Sequence, residues 1–513
     1  MTDHHDHSHA HGGPGVSRRD LLKAGAAGSV LALMPTGALA QALGPGAEFG
    51  TSRASRLGRR TRLAHADLHN HSQFSDGTGN PALAHDSMRS AGLDVAALTD
   101  HTVAARSFAP LDPCRLFPPP GAGEEDPCRS LVGSSETAWE DARRFADGAD
   151  DPGEFTALRG FEWSSPYLGH VNVWFTEDWT DPLSTAGLTA AGLAGVGITE
   201  PVLRQLLAPL PEGEEILALI LASEPAGMAR FYDWLATSPN AVLGGGADGI
   251  AGFNHPNREP AVFDAFAFDP RVRERMVSME IMNRHDDFVF MGYEDGQPSP
   301  LTSCLDAGWR VGLLGVTDEH GTDWGYPDGK GRAGLYVDEL SRAGVRRALA
   351  GRNFFATNVR GLRLDATAQN TPMGQTVCSR APVLTFRVDI DRGPEFAGMP
   401  LEIQVLTSGE EVPSVVHVES VTMPSPDERR PIRFRAAVDR AATSWVVLRI
   451  ADPSLPNTSP GPAGHPCNNL ALAYTSPFFL QGGRPPRSRG PRRPAAVAQP
   501  SAGEALRLLT HGH

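Results

Sequence analysis

Two histidines separated by one residue, His69 and His71, follow a short strand-like run and could bind one metal ion together. Because strand side chains alternate with a period of two, both imidazoles point to the same face of the strand. Asp76 follows in a Ser-Asp-Gly turn, where the chain can fold back and offer a carboxylate oxygen beside the two rings. An isolated His-x-His motif more often marks an ordinary strand end, so matching residues elsewhere must decide between the two interpretations.

Further strand-like runs of this chain also end in residue types that bind metals. Helix-like segments separate several of these runs, which predicts a parallel sheet buried on both faces. In such sheets, functional side chains collect at the carboxyl ends of the strands. The additional candidates at or beside predicted strand ends are His101, Glu162, His170, His255, Asp318 and His320.

The nine candidates together favour a metal site over nine unrelated polar residues. A buried cluster of imidazoles and carboxylates would be costly to fold without ions to balance it. Imidazole with carboxylate suits zinc, manganese or iron, and the lack of thiolate candidates argues against a structural zinc site.

Four cationic side chains follow or lie near the predicted site strands and could neutralise a phosphate group. They are Arg258, Arg284, Lys330 and Arg332. Residues of this kind more often lie in surface ion pairs, so the sequence leaves both interpretations open. His285 could donate a proton to a leaving group, or it could orient a metal ligand from outside the site.

The motifs in combination resemble those of the PHP (polymerase and histidinol phosphatase) domain family. More narrowly, they resemble the large PHP-related proteins of unknown function that carry an appended β-domain. Residues 67–71 (Asp-Leu-His-Asn-His) and 75–77 (Ser-Asp-Gly) are similar to the family's first motif, 99–101 to its second and 318–320 to its last. The subgroup's middle motifs resemble residues 160–163 (Gly-Phe-Glu-Trp), 169–173 (Gly-His-Val-Asn-Val) and 254–256 (Asn-His-Pro).

This resemblance covers roughly residues 63–360 and, more weakly, the β-domain. It implies a distorted (β/α)7 barrel with two to three divalent ions, Zn, Mn or Fe, at its carboxyl face. The implied ligands are His69, His71 and Asp318 for a first metal, Asp76, His101 and His320 for a second, and His170 and His255 for a third, with Glu162 bridging the first and third.

Closely spaced divalent ions lower the pKa of a shared water and polarise the oxygens of the group that it attacks. This chemistry suits hydrolysis of a small phosphomonoester or phosphodiester best. Hydrolysis of an amide or lactone by the same water is a second hypothesis. A third is a non-catalytic, metal-bound scaffold that binds a cell-surface polymer, although a pure binding module would need no open multinuclear site.

The N-terminal segment has the features of an export signal. Residues 17–23 (Ser-Arg-Arg-Asp-Leu-Leu-Lys) form a twin-arginine sequence, and an apolar run and a small-residue end at 38–40 (Ala-Leu-Ala) follow. We therefore expect residues 1–40 to be a signal peptide read by the twin-arginine export machinery, and the mature protein to be periplasmic or extracellular. The apolar run is too short and too rich in glycine and alanine for a membrane span, and no other span is predicted. The segment predicted to be removed contains His4, His5, His7, His9 and His11.

The rest of the chain divides by composition into four parts. Residues 41–62 are predicted to be a linker and residues 63–360 the metal-dependent hydrolase barrel. Residues 482–513 are predicted to be a disordered tail rich in proline and arginine. Residues 361–481 contain short strand-like runs without long helices, which predicts a β-sandwich. The segments 109–136 and 186–197 are expected to border the pocket as loops.

A formal net charge of -14 argues against nucleic acid as the main partner. Five cysteines in 513 residues are too few for a disulfide-built scaffold. Cys114 and Cys128 flank an insertion rich in proline and glycine and could form a disulfide in an oxidising compartment. The partner expected from the metal chemistry described above is a small phosphate ester.

Overall fold

The computed structural model describes residues 54–102, 136–165, 168–182, 185, 200–208, 214, 217, 218, 221, 227–242, 244–259, 261–325, 329–425, 427, 428 and 430–482. All of them belong to one unit of the chain, Phe49–His513. The predicted signal peptide, residues 483–513 of the predicted tail, Cys114 and Cys128 lie outside the described residues. The predicted pocket loops also lie outside them, at residues 109–135 and 186–197. No helix in the described ranges is long and apolar enough to cross a membrane.

The first strands of the chain pair in parallel, as the alternating pattern predicts. They are β1 (Arg62–Asp67), β2 (Val95–Leu98), β3 (His101–Thr102) and β4 (Thr156–Ser165). β2 lies between β1 and β4, and β3 continues beside the end of β4 with His101 in register with Glu162. Two candidate ligands from distant parts of the sequence therefore become direct neighbours.

The next five strands depart from an all-parallel order. They are β5 (Gly169–Trp174), β6 (Ile250–Phe253), β7 (Met276–Asn283), β8 (Asp286–Asp287) and β9 (Gly312–Val316). β5 runs antiparallel to both β4 and β6, whereas β7 is parallel to β6 and β9. The reason is the connection from β4 to β5, which is too short for the crossover that a parallel pair requires.

Helices lie between several of these strands. They are α1 (Pro81–Ser90), α2 (Glu136–Ala149), α3 (Glu200–Leu207), α4 (Ala229–Ala236), α5 (Val262–Phe266), α6 (Pro300–Asp306) and α7 (Arg342–Ala350). The short α5 has positive φ angles throughout. Asn80 caps the N-terminus of α1, because its side chain accepts a hydrogen bond from the Ala82 amide at 3.0 Å. Pro81 is the first residue of the helix.

The second part of the chain consists mainly of strands. They are β10 (Arg332–Val337), β11 (Phe354–Thr357), β12 (Arg363–Ala368), β13 (Thr371–Pro372), β14 (Thr376–Val377), β15 (Val383–Asp391), β16 (Pro400–Thr407), β17 (Ser414–Thr422), β18 (Ile432–Ala437), β19 (Trp445–Pro456), β20 (Asn469–Thr475) and β21 (Phe478–Leu480). β10 pairs with β1 and β11, and β11 pairs with β20, so the pairing continues from one part into the other.

The described residues thus form a mixed α/β fold with one sheet of 17 strands, a second sheet of four strands and few helices. The closed barrel and the sandwich remain predictions. One hydrophobic core joins the two parts, because Trp163 and Phe253 from the first part share it with Trp445 and Tyr474 from the second.

Residues 54–61, just before β1, were predicted to belong to a linker. They form hydrogen bonds and ion pairs with carboxylates of the second part. Arg59 Nε lies 2.6 Å from Asp365 Oδ1 in β12, and the Arg56 amide donates to Asp389 Oδ2 in β15 at 2.7 Å. Arg363 is fully buried and pairs with Asp389 at 3.0 Å. Arg56 and Arg59 therefore connect this partly exposed segment to the second part.

Candidate metal centre

Hydrogen bonds hold the carboxyl ends of β1 and β9 side by side. Thr317, which follows β9, donates its hydroxyl to Asp67 at the end of β1, and its amide donates to Asp67 Oδ1 at 3.2 Å. Beyond this contact the Asp318 amide donates to the His69 carbonyl at 3.0 Å. This pairing turns His69, His71 and Asp318 toward one another.

A first group of possible ligand atoms consists of His69 Nε2, His71 Nε2 and Asp318 Oδ1. The two imidazole nitrogens are 3.0 Å apart, and Asp318 Oδ1 lies 3.5 Å from His69 Nε2 and 3.2 Å from His71 Nε2. All three side chains are buried. Metal–ligand distances of about 2.0–2.2 Å place ligand atoms at separations of this order around one ion.

A second group surrounds Asp76. Its Oδ1 lies 3.5 Å from His101 Nε2, 3.4 Å from His320 Nε2 and 4.0 Å from His71 Nδ1. The next position, residue 77, requires glycine, because a Cβ there would come within 2.6 Å of a neighbouring backbone nitrogen. The tight Ser-Asp-Gly turn predicted from the sequence is therefore what brings this carboxylate back to the histidines.

A third group combines Glu162 from β4, His170 from β5 and His255 from the loop after β6. Glu162 Oε1 lies 3.3 Å from both His170 Nδ1 and His255 Nε2. Gly169 positions His170 at the start of β5: its φ of 111° and the Phe263 ring packed against it leave no room for a Cβ. The antiparallel turn from β4 to β5 thus sets two ligands of this group beside each other.

Glu162 lies at the centre of the three groups. Its Oε1 is 3.2 Å from His69 Nε2, its Oε2 is 2.6 Å from His101 Nδ1, and the Asn254 amide donates to Oε1 at 2.7 Å. Burial alone would raise the pKa of Glu162, but the charges of His69, His170 and His101 hold this pKa well below its usual range. Glu162 is therefore an ionised carboxylate shared by the imidazoles around it.

The electrostatics of the groups match a site for cations. Burial alone would lower the pKa of His69, but Asp318, Glu162 and Glu280 hold this pKa well above its usual value. The pKa of His71 falls well below its usual value through burial and through the neighbouring His320 and His101. A proton on His69 thus supplies the positive charge that a divalent ion would supply in its place.

Buried polar atoms without hydrogen bonds support the same interpretation. Within the described ranges, His71 Nδ1, His255 Nδ1 and Asp318 Oδ1 are buried and have no hydrogen-bond partner. Such atoms are costly unless an ion or another partner satisfies them. The donor set of imidazole nitrogens and carboxylate oxygens fits zinc, manganese or iron.

The structure brings all nine candidate ligands together in overlapping groups that could hold ions. Two further carboxylates, Glu259 and Glu280, escaped the sequence analysis. Glu280 Oε1 lies 2.8 Å from His69 Nδ1, and its Oε2 accepts the His255 amide at 2.8 Å. The signal for Glu280 was a lone acid within the apolar strand β7, and for Glu259 it was a spacing of four residues after His255.

Two of the candidate cations lie beside the centre. Arg258 NH1 is 3.4 Å from Asp318 Oδ2, and Arg284 NH2 is 3.0 Å from His320 Nδ1. Their side chains are 20% and 22% exposed, so both are accessible. Because each already contacts a candidate ligand, both could hold a substrate group next to bound ions.

The other candidate cations and His285 are placed differently. Lys330 pairs with Glu319 at 2.5 Å. Arg332 is buried in β10, so it is not accessible to a substrate. His285 is exposed and makes no contact with the nine ligands among the described contacts, so its role as a proton donor stays a prediction.

Comparisons with known proteins add three observations. A family model described as a protein of unknown function (DUF3604) matches residues 115–186, a small part of the chain. No curated protein matches the chain. Similar solved structures include a two-domain protein from Bacteroides vulgatus, described as containing a predicted PHP-like metal-dependent phosphoesterase. It is 14% identical, with a TM-score of 0.37, and the match covers 83% of this chain and 98% of that chain.

Two further solved structures are similar over a shorter part of the chain. One is a candidate metal-dependent phosphoesterase from Bifidobacterium adolescentis, 17% identical, with a TM-score of 0.25, covering 56% of this chain and 96% of that chain. The other is an amidohydrolase from Chromobacterium violaceum, 16% identical, with a TM-score of 0.22, covering 56% and 97%. At these TM-scores the functional proposal depends on the geometry of the described residues alone.

Proposed function

We propose that this protein is a metal-dependent hydrolase that cleaves small phosphate esters. The observation that carries the proposal is the position of Glu162, whose two oxygens lie within 3.3 Å of His69, His101, His170 and His255. A buried carboxylate shared by several imidazole groups suits ions held close together. A binding scaffold would need no such shared centre.

Divalent ions, when bound, supply a water of lowered pKa and polarise the oxygens of the substrate. His69, His71 and Asp318 would hold a first ion, and Asp76, His101 and His320 a second. His170 and His255 would hold a third, with Glu162 shared.

The side chains around the centre complete the proposed chemistry. Arg258 and Arg284 would orient the phosphate through charge-assisted hydrogen bonds to its oxygens. The exposed His285 would donate a proton to the leaving alkoxide. The twin-arginine sequence in residues 1–40 supports action in the periplasm or outside the cell.

The test is metal analysis and turnover on one preparation of the full-length chain. The N-terminal histidines are first replaced by glutamine, so that they do not bind metal themselves. These are His4, His5, His7, His9 and His11. We expect two to three equivalents of Zn, Mn or Fe, and turnover of p-nitrophenyl phosphate or bis-p-nitrophenyl phosphate that chelation removes and metal restores.

The possible outcomes separate the hypotheses. Absence of bound metal after reconstitution would overturn the metal-dependent mechanism. Bound metal with hydrolysis of amides or lactones, but not of phosphate esters, would overturn the proposed substrate class and keep the metal-activated water. A Glu162→Gln variant should lose metal and turnover together, whereas Glu177→Gln, which changes an exposed acid, should lose neither.

A further inference from the structure

Glu259 lies beside the two imidazoles of the third group, opposite Glu162. Its Oε1 is 3.4 Å from His255 Nδ1 and 3.8 Å from His170 Nε2. Glu162 contacts the other nitrogen of each ring, His255 Nε2 and His170 Nδ1, at 3.3 Å. Each imidazole therefore lies between two carboxylates that face different ring nitrogens.

His69 also lies between carboxylates that face its two ring nitrogens. Its Nδ1 lies 2.8 Å from Glu280 Oε1, whereas its Nε2 faces Glu162 and Asp318. A histidine that binds a metal through one nitrogen commonly donates its other N–H to a carboxylate, which fixes the tautomer and the angle of the ring. Glu280 has the position of that outer carboxylate for His69.

We propose that Glu259 does for His170 and His255 together what Glu280 does for His69. On metal binding, Glu259 would close on His255 Nδ1 and His170 Nε2, which lie 3.4 Å and 3.8 Å from its Oε1, and would accept an N–H from each. It would thereby present His170 Nδ1 and His255 Nε2 to an ion shared with Glu162. Glu259 is thus a positioning residue for the third metal. This inference rests on the metal binding proposed above.

Glu259, His170 and His255 also offer three ligand atoms close enough to hold one ion, but a direct ligand role for Glu259 fits the multinuclear centre less well. One ring binds an ion through the nitrogen that faces it, and Glu162 and Glu259 face opposite nitrogens of both rings. An ion bound by Glu259 and both histidines would therefore lie on the far side of the rings from Glu162. Glu162 is the carboxylate shared with His69 and His101, so the ion beside Glu162 is the one that joins the multinuclear centre.

The test is a Co²⁺ titration of the full-length chain, with the N-terminal histidines replaced as above, followed by visible absorption. Glu259→Gln keeps the shape of the side chain but accepts weakly from two rings at once. We expect the affinity for the last Co²⁺ ion to fall about 10- to 100-fold. The spectrum at saturating Co²⁺ should match that of the unsubstituted protein, because the ligands themselves are unchanged.

Two matched variants complete the experiment. Glu294→Gln removes one negative charge from an exposed position of the same protein and should leave Co²⁺ affinity unchanged. Glu259→Asp keeps a carboxylate and should recover part of the affinity, so the comparison stands even if the glutamine variant folds poorly.

Two results would overturn this inference while leaving the proposed function intact. One is an unchanged affinity for the last ion in Glu259→Gln. The other is an altered spectrum at saturation, which would make Glu259 a ligand itself. Failure of the unsubstituted protein to bind Co²⁺ would instead overturn the metal-dependent function.

Discussion

Tyr474 in β20 donates its hydroxyl to Asp287 in β8, with 2.8 Å between the Tyr474 oxygen and Asp287 Oδ1. Arg449 in β19 lies on the same carboxylate, 3.3 Å from Asp287 Oδ2. All three side chains are buried. Because Arg284 and His285 immediately precede β8, the strands of the second part anchor the segment that carries the residues proposed to contact the substrate.

Replacing Arg449 with methionine should destabilise the fold by about 3–5 kcal/mol. The substitution leaves the buried Asp287 carboxylate without its cation, and an uncompensated buried charge is costly. Urea unfolding followed by tryptophan fluorescence measures the change. The control is Arg347→Met, because Arg347 and its partner Asp338 are each 54% exposed and a pair of this kind contributes about 1 kcal/mol or less. Equal losses in the two variants would contradict an anchoring role for Arg449.

Local sequence patterns were enough to propose the nine ligands. Strand alternation places His69 and His71 on one face, and the ends of parallel strands meet at one edge of a sheet. The same argument fails for partners that depend on which strands meet. Glu280 reaches His69 across 211 positions of the chain, and Arg59 reaches Asp365 across 306. Neither pairing leaves a local pattern.

The direction of β5 is a second feature that the sequence patterns did not predict. An apolar run after a strand predicts another strand, but its direction depends on the connection. Only three residues separate Ser165 from Gly169, so β5 must turn back along β4. The order of strands and helices alone suggested a parallel neighbour, whereas the length of this loop already excluded one.

Replacing Arg258 or Arg284 with methionine should lower kcat/KM for an aryl phosphate about 10- to 100-fold. A hydrogen bond to a charged group contributes about 1.5–3 kcal/mol, and the substitution removes both the charge and the donors. Steady-state kinetics on the metal-loaded protein measure the change, and metal analysis shows whether the ligands remain occupied. Arg271→Met is the control, because Arg271 is 53% exposed and pairs only with Asp233 and Asp269 among the described contacts. Full activity in both site variants would remove these arginines from the phosphate site.

Removing metal should lower the thermal stability of the protein. Ions that bind the folded state alone stabilise it by mass action, by about 2.7 kcal/mol at a hundredfold excess over Kd. Without ions, the buried nitrogens His71 Nδ1 and His255 Nδ1 have no hydrogen-bond partner among the described residues. Differential scanning calorimetry with and without a chelator measures the shift in Tm. The same experiment on Glu162→Gln should show a much smaller shift, and an equal shift would mean that the stabilising ions bind elsewhere.

His85 should make the stability of the protein fall at mildly acidic pH. It is buried in α1, and neither ring nitrogen has a hydrogen-bond partner among the described residues. Burial and the nearby Arg342 lower the pKa of His85 from 6.5 to about 4. Between pH 6.5 and about pH 4, His85 is protonated in the unfolded chain but neutral in the folded chain. The free energy of unfolding is therefore highest above pH 6.5 and falls as the pH is lowered toward 4.

His85→Leu removes this dependence. The free energy of unfolding of the unsubstituted protein should drop by about 2–3 kcal/mol more than that of the variant between pH 7 and pH 4.5, at about 1.4 kcal/mol per pKa unit. Other titrating groups act in both proteins and cancel in the comparison. Urea unfolding at a series of pH values measures the difference, and His417→Leu, on the partly exposed strand β17, serves as the control. Parallel stability curves for His85→Leu and the unsubstituted protein would show that His85 accepts its proton as readily in the folded state as in the unfolded chain.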